Sequence, residues 1–87
     1  MNITRLEVTT NWNKIDDIVS AQVGDMFEIQ NVGGYDVLAC ESASEPVETK
    51  DGFLLKPNRA GLYTKETGLY LYIKAKQDTV INIGKVE

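Results

Sequence analysis

Two acidic pairs, Asp16-Asp17 and Glu41 with Glu45, are the residues of this chain whose type and spacing could carry general acid–base work. That work needs two carboxyls held in different environments across a cleft, one protonated and one ionised. Neighbouring acids in polar stretches sit in water with ordinary proton affinities, so both pairs read as solvated surface. The sequence has no histidine. Its absence removes the Ser–His and Cys–His arrangements and the usual zinc ligand sets. Cys40 is the single cysteine, next to Leu38 and Ala39. It makes no intrachain disulfide, suits a reducing compartment, and reads as a small buried hydrophobe, not as a thiolate nucleophile. Asp51-Gly52 lacks the alternating acids of a calcium loop, and no phosphate-binding or dinucleotide glycine motif can be written from the glycines. The expectation is a non-enzymatic protein with no catalytic residue, metal or cofactor.

The remaining chemistry is aromatic. Tyr70 and Tyr72 alternate along one strand pattern, with Tyr63 close in sequence and Tyr35 on another. A tyrosine joins apolar area to a polar tip, so such a set serves core packing, a subunit interface or a ligand platform. Trp12, the only tryptophan, lies in Asn11-Trp12-Asn13. It either anchors a loop on the core or contacts a partner or ligand. Tyr70, Tyr72, Tyr63 and Trp12 are therefore the candidate interface or ligand contacts. The formal charge of −4 repels phosphate backbones, so no nucleic-acid partner is expected. The first residues carry no apolar signal core and the apolar runs are short, so neither a leader nor a membrane span is expected.

The elements that must position these residues read as strands. Leu6 and Val8 alternate with Arg5 and Glu7 over residues 3–9, and Phe27 and Ile29 alternate with Glu28 and Gln30 over Met26–Asn31. Gly33-Gly34 then separates this run from Tyr35–Cys40, a spacing that predicts a β-hairpin. Trp12, Ile15, Ile18 and Val19 recur at helical spacing in a short Asn/Asp-rich stretch, read as a loop with one turn of helix. Residues 41–46 read as a connection, Asp51-Gly52 as a tight turn between Val47–Lys50 and Phe53–Leu55, and Pro57–Gly61 as another break. Leu69–Ala75 is the strongest strand, with two faces to cover, and Gln77-Asp78 turns the chain into Thr79–Ile83. Short strands with no long amphipathic helix predict one all-β domain over 1–87, built of antiparallel hairpins in a β-sandwich or jelly-roll-like barrel. At 87 residues the radius of gyration should be about 12 Å. A core this small gains from burial against copies or partners.

Taken together, several segments resemble the small β-sandwich virion proteins of tailed bacteriophages. They are Trp12-Asn13-Lys14-Ile15, Gly24 through Asn31, Glu41-Ser42 with Pro46, Gly52 with Leu55 and Pro57, and Leu69 through Ala75. The resemblance spans nearly the whole chain in short pieces and carries no catalytic or ligand residue with it. It implies a structural role: a knob, decoration or accessory protein of the capsid or tail, made in the bacterial host cytoplasm and located on the virion. It also implies self-association, a trimer being one form, and contact with other capsid or tail proteins. The alternative is a carbohydrate or host-receptor binding module, with tyrosines or Trp12 stacked on the sugar rings of a host glycan.

Overall fold

The computed structural model describes residues 3–47 and 52–86. Eight strands and one short helix follow in the order β1 (Ile3–Val8), β2 (Asn13–Lys14), α1 (Ile15–Val19), β3 (Met26–Asn31), β4 (Val37–Ser42), β5 (Phe53–Leu55), β6 (Ala60–Thr64), β7 (Tyr70–Ala75) and β8 (Thr79–Val86). They form two antiparallel four-stranded sheets, β1-β8-β3-β6 and β2-β7-β4-β5. This is the all-β sandwich expected from the alternation, and its radius of gyration is 11.7 Å.

The pairing follows a single rule. The first strand lies beside the eighth, the second beside the seventh, the third beside the sixth and the fourth beside the fifth. One long antiparallel ribbon, with its tip between β4 and β5, is rolled so that its rungs alternate between the two sheets. The β8–β3 and β7–β4 pairings close the roll. That is the eight-stranded jelly roll.

The rolling overturns the expectation of local hairpins everywhere but between β4 and β5, which do pair as consecutive strands. β3 and β4 do not pair across Gly33-Gly34; they belong to opposite sheets. Neither glycine takes the positive φ that a tight hairpin turn requires, whereas Gly24 and Gly68 do. A Cβ on Gly33 would fall 1.7 Å from the Thr79 hydroxyl, so glycine is needed there for close approach to β8. Asn31 directs the crossing. Its fully buried side chain donates to the carbonyls of Tyr35 (2.8 Å) and Leu55 (2.9 Å) and accepts from the Gly33 amide (3.1 Å). The chain likewise crosses between sheets at Gln77-Asp78.

Two further expectations change. The break at Pro57–Gly61 ends earlier than expected, because Ala60 and Gly61 open β6. Phe53 packs against the Gly61 position, where an added Cβ would sit 3.4 Å from its ring. β4 runs on through Ser42, into the stretch read as a connection. The proposed turn partner Asp51 and most of the Val47–Lys50 flank lie outside the described residues.

The core lies between the sheets, where Ile29, Val37, Leu71, Ile73 and Ile81 are fully enclosed. β7 sends Leu71, Ile73 and Ala75 inward and Tyr70, Tyr72 and Lys74 outward. Helix α1 has five residues, too few to hold together without tertiary support. Asp16 and Asp17 suit its positive first turn, Ile15 is buried, and Ser20 ends it in a left-handed conformation at φ 54°.

Candidate functional site

Apart from Asn31, the buried polar and charged side chains among the described residues, Asp16 and Lys65, gather where α1 meets the ends of β6 and β7. Asp16, read from sequence as solvated, is 6% exposed. Its Oδ1 accepts from the Leu71 amide (2.5 Å), and its Oδ2 accepts from the Tyr63 hydroxyl (2.7 Å) and faces Lys65 Nζ (3.2 Å). Lys65 is itself buried. Its ammonium also donates to the Leu69 carbonyl (2.5 Å) and lies 4.0 Å from the centroid of the Tyr70 ring. An ammonium has three protons, and these three neighbours supply a partner for each.

The cluster ties one sheet to the other through the helix. Tyr63 sits on β6 and Leu71 on β7, in opposite sheets, and both hold the same carboxylate. Burial, followed by the hydrogen bond to Asp16 and its negative charge, pushes the Tyr63 phenol well above its usual range, so it stays protonated as a donor. The clasp is a positioning device. Each of its polar groups is committed to another.

Glu41, at the edge of this cluster, is strained electrostatically. Partial burial, then repulsion from Glu66 and Asp16, raises its pKa above the usual 4.5. A carboxyl whose folded value is raised binds its proton more tightly in the folded state, so its ionised form subtracts stability at neutral pH. Glu41→Gln is expected to raise the urea midpoint at neutral pH. The gain should shrink as pH falls through the raised value toward 4.5 and be gone below it; a midpoint unchanged at neutral pH would contradict the assignment. Asp25 shifts the other way, held low by the Gln22 amide at 3.0 Å and then by Lys85 at 3.2 Å.

The outer face of the β2-β7-β4-β5 sheet collects the candidate contact residues, with one exception. Strand register sets Tyr72 beside Lys14 and Cys40, Tyr70 beside Ser42, and Lys74 beside Leu38. Lys14 Nζ lies 4.0 Å from the Tyr70 centroid, and Lys74 Nζ lies 5.4 Å from that of Trp12. These are cation–π contacts, which immobilise the lysines along the sheet. Tyr72 is 7% exposed, Tyr70 and Trp12 are half-buried, and Leu54 is open to solvent. Leu38, Leu54, Lys74, Lys76 and Asp36 line a shallow depression of about 420 Å³. Cys40 is buried beside Tyr72, its Sγ 3.8 Å from the Glu41 carbonyl.

Tyr63 is the exception. It is 2% exposed, on the other sheet, stacked with Phe27 at 6.3 Å between ring centroids. It therefore belongs to the core and presents no surface. Sequence proximity to Tyr70 misplaced it, since the six residues between them carry the chain from one sheet to the other. The lysines were missed because nothing local pairs Lys14 with Tyr70. For Asp16 a signal existed: it lies three residues before Val19, on the apolar side of the helical turn.

The outer face of the β1-β8-β3-β6 sheet is different in kind. Register places Ile3 beside Gly84, Met26 beside Val86 and Thr64, and Leu62 beside Glu28. Ile3 and Leu62 are more than 60% exposed, and Met26 and Val86 are also open. Among the described residues no group of three or more His, Cys, Asp or Glu is placed to hold a metal ion. No protein-family model, curated protein or solved structure matches the chain.

Proposed function

We propose that this chain is a structural or accessory protein of a tailed-phage particle, a jelly-roll module that assembles through its sheet surfaces with itself and with a capsid or tail component. The observation that carries this reading is the strand order, β1-β8-β3-β6 over β2-β7-β4-β5. Jelly rolls of this kind build viral capsid and lectin domains. The support is an analogy of fold, joined to the sequence resemblance.

The surfaces agree with an assembly role. The domain measures 30 × 29 × 17 Å, so each sheet presents a broad face on the order of the ~800 Å² that one partner gives to a standard interface. Exposed Ile3, Met26, Leu62 and Val86 supply apolar area on one of them. The buried polar clasp ties the two sheets together through groups that do not lie on either outer face. The carbohydrate-binding alternative rests on Trp12, whose ring meets one lysine ammonium at 5.4 Å, whereas two stand at 4.0 Å from the Tyr70 ring.

The test is sedimentation of the recombinant protein with purified tailed-phage particles from the source organism, alongside mass spectrometry of the particles. The protein is expected in the particle fraction in a fixed ratio to a capsid or tail component. Absence from particles in both measurements overturns the reading. Quenching of Trp12 fluorescence by host glycans, in protein that never binds particles, would establish the carbohydrate alternative in its place.

A further inference from the structure

We infer that β1 is a self-pairing edge: two copies join antiparallel across a twofold axis at Leu6, turning the β1-β8-β3-β6 sheet into one continuous eight-stranded sheet. This rests on the assembly reading above and names one interface for it.

Strand β1 is the longest edge in the fold. It has six residues, against five in β6, three in β5 and two in β2. It pairs with β8 in unbroken register from Ile3 beside Gly84 to Val8 beside Thr79, and no described strand lies along its other side. Sheet proteins that stay single blunt such an edge with proline, a bulge or an inward charge. β1 has none of these. Its inward residues are Thr4, Leu6 and Val8, opposite Ile83, Ile81 and Thr79. Val8 is 1% exposed, while Leu6 is only partly covered by the core, so the apolar row reaches the open edge unfinished.

Charge selects the partner and the register. Arg5 and Glu7 flank Leu6 on the outer face, both exposed, and neither forms an ion pair among the described residues. With Leu6 opposite Leu6 of a second copy, each Arg5 stands directly across from a Glu7. Thr4 then meets Val8 on the inner side. Centring the pair on Arg5 or on Glu7 instead sets like charges face to face, which directly opposed strand positions penalise. Centring on Thr4 or Val8 leaves both charges without opposite partners. One register is therefore favoured over its neighbours, and it is self-complementary, as a twofold contact must be. Past Val8 the chain leaves the edge: the Thr9 carbonyl accepts from the Ala75 amide of the other sheet, which limits the new pairing to Thr4–Val8.

The experiment is analytical ultracentrifugation of the full chain across a concentration series, with Arg5→Glu, Glu7→Arg and the double exchange R5E/E7R. Wild type is expected to be a dimer. Each single reversal should weaken it by at least about tenfold. The double exchange should restore it, and an equimolar mixture of the two single variants should form a heterodimer. Thermal unfolding by circular dichroism confirms that the exposed substitutions leave the fold intact. A monomeric wild type overturns the proposal, as do single reversals that leave the dimer unchanged or a mixture that stays monomeric. Particle sedimentation separates this from the assembly reading. A monomer that still binds particles removes the twofold alone, and a charge-swappable dimer that never binds them removes the assembly reading alone.

Discussion

Asn31→Asp is expected to unfold the domain or leave it barely folded at room temperature. Both amide protons of Asn31 are in use, on the Tyr35 and Leu55 carbonyls, and its oxygen accepts from the Gly33 amide. Aspartate has the same shape and no such donors. Ionised, it would press a carboxylate against two carbonyl oxygens at a position with 0% exposure; protonated, it could satisfy one of them. An uncompensated buried charge costs several kcal/mol, against a total stability of about 5–15 kcal/mol for a domain. Asn31→Ala should fall between the two. It adds no charge, but it strands two carbonyls and an amide, each at about 1–3 kcal/mol where water cannot reach. Urea denaturation followed by Trp12 fluorescence would rank the midpoints as wild type, then alanine, then aspartate. Equal midpoints would show that the crossing between sheets does not depend on this side chain.

Asp16→Asn is expected to cost about 3–5 kcal/mol, the usual penalty for removing one member of a buried ion pair. The amide can still serve Leu71 or Tyr63, but it leaves Lys65, 8% exposed at its side chain, without its counter-charge. Lys65→Met alone should also destabilise, since it leaves the carboxylate unbalanced. The double variant D16N/K65M should recover part of the loss, because a buried pair exchanged for groups that need no pairing is often close to neutral. The coupling energy from the double-mutant cycle is the quantity to measure, and contacting residues show about 0.5–3 kcal/mol. Additive single effects would mean that the 3.2 Å contact contributes nothing as a pair.

These two networks share a logic. A rolled ribbon places consecutive strands in opposite sheets everywhere but at its β4–β5 tip, so local turns cannot fix the fold by themselves. Asn31 secures one crossing by holding three backbone groups on both sides of it. Asp16 secures the far end by holding a phenol from one sheet and an amide from the other. Both are buried polar groups with every partner present, the condition under which such networks specify a single arrangement.

Alternation along the chain was enough to recognise the all-β class, the strands at residues 3–8, 26–31 and 70–75, and which face of each is apolar. Leu6 with Val8, Phe27 with Ile29, and Leu71 with Ile73 all point as a period of two requires, because side-chain direction in a strand is set by backbone geometry within a few residues. Strand pairing was not legible in the same way. Gly33-Gly34 looked like a hairpin turn, since glycine permits either the positive φ of a turn or the close approach of another chain segment, and only packing against Thr79 decides which. Asp16 looked like a surface acid, since its partners Tyr63 and Leu71 lie 47 and 55 residues away. Local patterning thus determined the strands and their faces. The tertiary structure alone decided their neighbours, the partners of Asp16, the burial of Tyr63, and the gathering of lysines on Trp12 and Tyr70, because each depends on contacts between residues distant in sequence.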